Sequence, residues 1–67
     1  MNYLITVSWP DKHNPMIRHK EMITEEFENI SEYNQWGILG KIRNSNHREE
    51  WAQSEVDFVI DFMMKLD

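Results

Sequence analysis

NHREEWAQSEVDFVIDFMMKL, residues Asn46 to Leu66, is the stretch around which the fold is expected to form. At the helical period five of its polar side chains fall into one narrow stripe, and most of the other side chains from Trp51 to Leu66 are apolar. The stripe consists of Glu50, Ser54, Asp57, Asp61 and Lys65. Asn46 is a suitable N-cap, and Glu49 three positions later completes a capping box. The pattern predicts a long C-terminal helix.

The apolar arc of this predicted helix is about twice as wide as an ordinary amphipathic stripe. One side of the arc carries Trp51, Phe58, Phe62 and Leu66. Two interpretations stay open for these residues. Either the rest of a small domain wraps around them as core, or one flank stays exposed as a partner-binding or homodimer surface, where aromatic residues and Met are enriched.

Length and composition limit the chain to one small domain, residues 1–67. A domain of this size buries only about 60% of the surface of its unfolded chain. The chain has no cysteine, so disulfides and thiolate metal sites cannot add stability. There is no long apolar run and no secretory signal pattern, and we expect a cytoplasmic protein that does not contact membranes.

The N-terminal half contains two strand patterns separated by a loop. Asn2 to Trp9 alternates, with aromatic and β-branched residues, and predicts a strand. Pro10 to Pro15 predicts a loop. Met16 to Ile23 predicts a second strand that pairs with the first, although the same residues can also begin a helix.

Three shorter elements are predicted next. Thr24 to Gln35 has a capping Thr and acidic residues in its first turn, which indicate a short amphipathic helix. Gly37 is placed to end that helix, with Ile38 to Ile42 as a short strand. Asn44 to Asn46 then form a turn. The predicted fold class is α+β, a small antiparallel sheet of two to three strands packed by the short acidic helix and the long C-terminal helix.

The charges are segregated along the sequence, although the net charge is −5. Four carboxylates align if the first helix begins early, namely Glu21, Glu25, Glu28 and Glu32. Such a row can bind a basic groove on a nucleic-acid-processing protein. An ordinary solvated helix face is the favoured alternative.

One basic cluster, Lys41, Arg43 and Arg48, lies between two tryptophans. It can contact phosphate or a carboxylate surface. Direct nucleic-acid binding is not favoured, because three cations in an acidic protein produce a weak positive field.

No pattern indicates an enzyme, a cofactor or a metal site. His13, His19 and His47 have no ligand-type spacing, and the serines lie in no nucleophile or phosphate-binding motif. The length, acidity and lack of cysteine resemble, as a similarity of type, small phage-encoded proteins that block a host defence or nucleic-acid-processing complex.

The sequence therefore predicts a small acidic, non-enzymatic interaction protein that binds and inhibits or modulates a larger protein or nucleic-acid-processing complex. Two alternatives are kept. The first is a structural homodimer or complex subunit that assembles through the C-terminal helix. The second is a weak nucleic-acid-binding module.

Overall fold

The computed structural model describes residues 1–46, Arg48, Trp51 and residues 57–67. These residues form strands β1 (Asn2–Pro10), β2 (Arg18–Glu26) and β3 (Val59–Lys65), a 3-10 turn (Ile30–Glu32) and helix α1 (Gln35–Asn46). The strands make one antiparallel sheet in the order β2-β1-β3, which confirms the predicted α+β class. No helix among the described residues has the length and apolar character needed to cross a bilayer.

Strands β1 and β2 form the predicted hairpin. Their register runs from Asn2 opposite Glu26 to Pro10 opposite Arg18, so β2 lies slightly later in the chain than predicted. The predicted loop is closed by Asp11, whose backbone N–H donates to the Ile17 carbonyl at 2.8 Å. The side chains of Asp11 and Asn14 accept hydrogen bonds from backbone N–H groups of the loop, and these bonds stabilise it.

The prediction of a short acidic helix over Thr24 to Gln35 is wrong. Thr24 pairs with Leu4 inside the hairpin, and the ladder continues until the Phe27 N–H donates to the Met1 carbonyl at 3.0 Å. Beyond it the Ser31 hydroxyl donates to the Asn29 side chain at 2.6 Å. Such local side-chain bonds compete with helix formation, and in this segment the structure has the single 3-10 turn.

Helix α1 replaces the strand predicted over Ile38 to Ile42, and the prediction that Gly37 ends a helix is also wrong. The Asn34 side chain accepts the Gly37 N–H at 2.8 Å and caps the first turn. Leu39 and Ile42 are buried, and Ile38 packs beside them. Their spacing of three and four residues gives the helix one apolar face, which outweighs the low helix propensity of two glycines.

The turn predicted over Asn44 to Asn46 is the last turn of α1. Asn46 does not begin a helix, since its side-chain amide donates to the Ile42 carbonyl at 2.7 Å inside α1. Glu49, Glu50 and Ser54, the other polar positions assigned to the C-terminal helix before Asp57, lie outside the described residues.

The long C-terminal helix predicted over Asn46 to Leu66 is wrong in its second half, where β3 pairs with the free edge of β1. The register places Phe62 opposite Thr6 but Ile60 opposite Val7, so Asp61 is an extra residue at a bulge. Both faces of β3 are apolar and the bulge interrupts the alternation. The segment therefore lacks the period of two that indicates a strand.

The core lies on one side of the sheet, called here the inner face. Alternate residues of β1 point towards it, and α1, Trp51 and Phe58 cover them. The buried apolar residues are Tyr3, Ile5, Val7, Trp9, Ile23, Phe27, Leu39, Ile42, Trp51 and Phe58. Trp51 contacts Phe58 and Trp9, with ring centroids 4.9 and 5.7 Å apart. These large rings allow a short chain to bury a dense core.

Candidate functional site

The opposite side of the sheet, called here the open face, carries an apolar patch. Directly paired residues of neighbouring strands point to the same face. Thr6 pairs with Met22 on one side and Phe62 on the other, and Leu4 pairs with Met64. The Leu66 N–H donates to the Asn2 carbonyl at 2.8 Å and extends the ladder. We define the open-face patch as Leu4, Thr6, Met22, Phe62, Met64 and Leu66.

The large side chains of this patch face solvent. Met22 is 65% exposed, Phe62 51%, Leu66 49% and Met64 44%. An antiparallel sheet with one solvated face normally has polar residues there. Leu4 on the central strand, Met22 on β2, and Phe62, Met64 and Leu66 at the β3 edge are apolar instead. Among the described residues, none packs over them as α1 packs over the inner face, so their side chains form an exposed, mainly apolar surface.

The four apolar residues predicted to share one side of a helix divide between the two faces of the sheet. Trp51 and Phe58 are buried, at 1% and 2% exposure. Phe62 and Leu66 belong to the open-face patch. The single helical surface predicted for them is wrong, because Phe58 precedes β3 and Phe62 lies after the bulge inside it.

The two ends of the open face carry different charged groups. At one end Arg18 and Lys20 lie opposite Pro10 and Ser8 of β1. Arg18 donates to the Ser8 hydroxyl at 3.0 Å and to the Asp57 carbonyl at 2.9 Å, and this arrangement buries Ser8.

Lys20 lies 3.8 Å from the Asp61 carboxylate, so this end carries two cations, Arg18 and Lys20, beside the acidic residues Asp57 and Asp61. The opposite end carries the carboxylates of Glu26 and Asp67. Hydrogen bonds from the backbone N–H and then the side chain of Asn2 hold the pKa of Asp67 below its ordinary value of 3.8.

The predicted acidic row does not form a row. Glu21 and Glu25 lie on β2 and point to the side that carries α1. Glu21 accepts two hydrogen bonds from the guanidinium of Arg48, and the Glu25 carboxylate lies 3.9 Å from the Lys41 ammonium. Glu28 and Glu32 are exposed after β2. Two of the four carboxylates are therefore partly neutralised by the predicted basic cluster, and the row's role in partner binding stays a prediction.

Each cation of the predicted basic cluster lies over a core aromatic ring. The Lys41 ammonium is 4.4 Å from the Phe27 ring centroid, and the Arg43 guanidinium is 4.9 Å from that of Phe58. The Arg48 guanidinium is 6.0 Å from the Trp51 centroid. These contacts give the cluster a structural role. Nucleic-acid binding through it stays a prediction with less physical support.

The histidines are not gathered into a ligand set in the part of the chain that the structure describes. His19 contacts the Asp11 carboxylate at 2.7 Å and lies beside the Trp9 ring, while His13 is in the hairpin loop. His47 lies outside the described residues. Among those residues, no group of three His, Asp or Glu side chains can hold a metal ion.

Leu4, Met22 and Met64 are functional candidates that the sequence analysis missed. Met22 looked like a helix-forming residue between charged neighbours, and Leu4 belonged to the mainly polar face of β1. The sequence feature that could have revealed them is the strong strand propensity of Val59, Ile60 and Phe62. A third strand there would have placed a second apolar row beside Leu4.

Comparisons of this sequence with protein-family models, with curated proteins and with solved structures gave no match.

Proposed function

We propose that this chain is a small, non-enzymatic protein-binding module and that the open-face patch is its contact surface. The observation that carries this proposal is the exposure of Phe62, Met64 and Leu66 along the β3 edge, with Met22 across Thr6 from Phe62, on the face that no described residue covers. Contiguous exposed apolar surface on a small protein indicates an interaction site, whereas scattered apolar residues need no explanation.

The residue types of the patch suit protein recognition. Phe and Met are enriched at protein interfaces, and the flexible Met side chain adapts to the shape of its partner. Charged and polar groups surround the patch, including Lys20, Asp61 and Glu26. An apolar centre with a polar rim is the usual anatomy of a protein interface.

The exposed edges of the sheet favour binding through the face rather than through strand addition. Edge strand β3 has a bulge at Asp61, and edge strand β2 carries Arg18, Lys20 and Glu21 among its charged residues. Bulges and charges are the devices by which proteins prevent pairing at a sheet edge. A partner is therefore expected to cover side chains and not to extend the backbone ladder.

The face also agrees with part of the role expected from sequence. An interaction protein that inhibits or modulates a larger complex needs an exposed binding surface, and the patch is our candidate for that surface. Glu28 and Glu32 are exposed elsewhere and can add attraction for a basic partner.

Oxidation of methionine side chains tests this proposal. Met22 and Met64 lie in the patch, whereas Met16 is 90% exposed in the hairpin loop and provides an internal control. The chain is treated with dilute peroxide as the purified protein at low concentration and in extract of the cells in which it occurs. We expect Met22 and Met64 to be protected in extract relative to Met16, because a bound protein excludes the oxidant.

Two variants make the experiment specific. Phe62→Ser should abolish the protection of Met22 and Met64 in extract, and Ile17→Ser, in the loop, should leave it intact. The proposal would be contradicted if the oxidation of Met22 and Met64, measured relative to that of Met16, were the same in extract as in the purified protein.

A further inference from the structure

The methionines of this chain divide between the open face and other parts of the structure. Met22 and Met64 lie in the open-face patch, with 65% and 44% of their surface exposed. Met16 and Met1 are exposed outside the patch, and Met63 packs against the core from the inner face. Met22 and Met64 are therefore the two methionines that are both open to solvent and part of the proposed contact surface.

Methionine supplies the reversible chemistry of this patch. The thioether sulfur attacks one oxygen of a hydrogen peroxide molecule, the O–O bond breaks, an S–O bond forms, and the second oxygen leaves as water. The sulfur loses two electrons and the peroxide gains them. Methionine sulfoxide is polar, and a reductase returns it to the thioether with two thiols, which become a disulfide while the oxygen leaves as water.

Oxidation of these two residues should change the patch and leave the fold intact. Neither side chain belongs to the core, which lies on the inner face. Met22 is across Thr6 from Phe62, and Met64 is two residues after Phe62 along β3, so the two sulfoxides would flank Phe62. A partner that covers the patch would then bury two sulfoxide oxygens. Burial of a polar group without a hydrogen bond is unfavourable.

We propose that peroxide oxidation of Met22 and Met64 switches off binding at the open-face patch and that reduction of the two sulfoxides restores it. This inference rests on the proposed function and adds its regulation. Binding and oxidation oppose each other, because a bound partner shields the two side chains and the sulfoxides weaken the partner's affinity. The free chain is thus the form that responds to peroxide.

Diffusion of a labelled chain tests this switch. The sequence has no cysteine, so Met16→Cys provides a single site for a fluorophore in the loop, outside the patch. All forms of the protein carry this label. Fluorescence correlation spectroscopy measures their diffusion in extract of the cells in which the protein occurs, after dialysis has removed the small thiols that support sulfoxide reduction. The Phe62→Ser variant gives the diffusion of the unbound chain in the same extract.

The reduced chain should diffuse more slowly than Phe62→Ser. Oxidation of Met22 and Met64, verified by mass spectrometry, should lower the ratio of bound to free chain at least about tenfold. Treatment with methionine sulfoxide reductases and dithiothreitol should restore the ratio. Far-UV circular dichroism should be the same before and after oxidation.

The matched control is the double variant Met22→Leu with Met64→Leu. Leucine is similar in volume to methionine and has no sulfur to oxidise. This variant keeps Met1 and Met63, so peroxide can still act on the rest of the chain. It should remain bound after the same peroxide treatment.

Three results would overturn the inference. They are an oxidised chain that diffuses as slowly as the reduced chain, a double variant that peroxide releases as fully as the wild type, and loss of the circular dichroism of the folded chain on oxidation. In each case slow diffusion of the reduced chain would keep the proposed function. A reduced chain that diffuses like Phe62→Ser would instead contradict the proposed function, and the switch with it.

Discussion

Arg48 and Glu21 form a charged hydrogen-bonded pair between the residues that follow α1 and strand β2. The Arg48 Nη2 and Nε atoms lie 2.7 and 3.2 Å from the same Glu21 oxygen. The guanidinium also lies over the Trp51 ring. The pair thus joins a sheet edge to an aromatic residue of the core.

A double-mutant cycle with Glu21→Gln and Arg48→Gln should show a favourable coupling of about 0.2–1 kcal/mol, because both side chains remain partly solvated. Urea unfolding of the four proteins at low ionic strength measures it. The coupling should shrink in high salt. Strictly additive effects at low salt would show that the pair contributes nothing to stability.

Phe58 and Phe62 should respond in opposite ways to truncation, although they are four positions apart in the chain. Phe58 is buried against Trp51 and Trp9, and Phe58→Ala should reduce the free energy of unfolding by about 3–5 kcal/mol. Phe62 is half exposed, and Phe62→Ala should cost less than about 1 kcal/mol in the dilute protein. Denaturant unfolding followed by tryptophan fluorescence compares them. Similar losses for both variants would contradict the assignment of the two faces.

Asp11 should make stability depend on acid pH. The hydrogen bond with His19, followed by those from the backbone N–H groups of His13 and Asn14, lowers the pKa of Asp11 from 3.8 to about 2. The group therefore contributes stability that is fully present above its unfolded pKa and is lost as pH falls from about 4 through 2. A carboxyl-carbon NMR titration should give a midpoint near 2. A midpoint near 3.8 would contradict the geometry of the loop.

Asp11→Asn supplies the control for that titration. This variant should be less stable than the wild type at pH 6, and the difference should narrow as the pH falls towards 2, because the wild-type carboxylate becomes protonated over that range. Hydrogen bonds from Asn2 also lower the pKa of Asp67. Protonation of Asp67 in acid therefore reduces the stability of the wild type and of Asp11→Asn alike.

Gly40→Ala should stabilise the chain by about 0.5–1 kcal/mol, because alanine has the higher helix propensity. Gly40 lies inside α1, and a methyl group there would meet nothing within 4 Å. Gly37→Ala should gain less, since Gly37 is in the first turn and its new methyl would lie 3.4 Å from the Tyr33 ring. Thermal unfolding by circular dichroism measures both. If Gly40→Ala were less stable than the wild type, the placement of Gly40 inside helix α1 would be contradicted.

The hairpin and the α+β class could be predicted from sequence because β1 alternates and Pro10 to Pro15 clearly mark a loop. The remaining elements depend on tertiary contacts. Strand β3 has two apolar faces because it is half covered by the core and half part of the open face, which a one-dimensional period cannot separate. Helix α1 contains two glycines, so local propensity argued against it, and its burial against the sheet decided the outcome.

The candidate site was predicted only in part for the same reason. Phe62 and Leu66 were recognised as surplus apolar surface, but their neighbours Leu4 and Met22 come from strands distant in sequence. The segregated charges indicated separate acidic and basic surfaces, whereas the fold pairs Glu21 with Arg48 and brings Glu25 near Lys41. Pairing of this kind depends on how β2 and α1 pack.

The central claim is that β3 pairs with β1 so that Phe62 and Met64 lie on the open face. Nuclear Overhauser effects between backbone protons test it most directly. We predict cross-strand contacts between Thr6 and Phe62 and between Leu4 and Met64, with strong sequential contacts from Hα to the next amide over Val59–Lys65. Strong amide-to-amide contacts and Hα contacts three residues ahead in that segment would indicate a helix and would contradict the account.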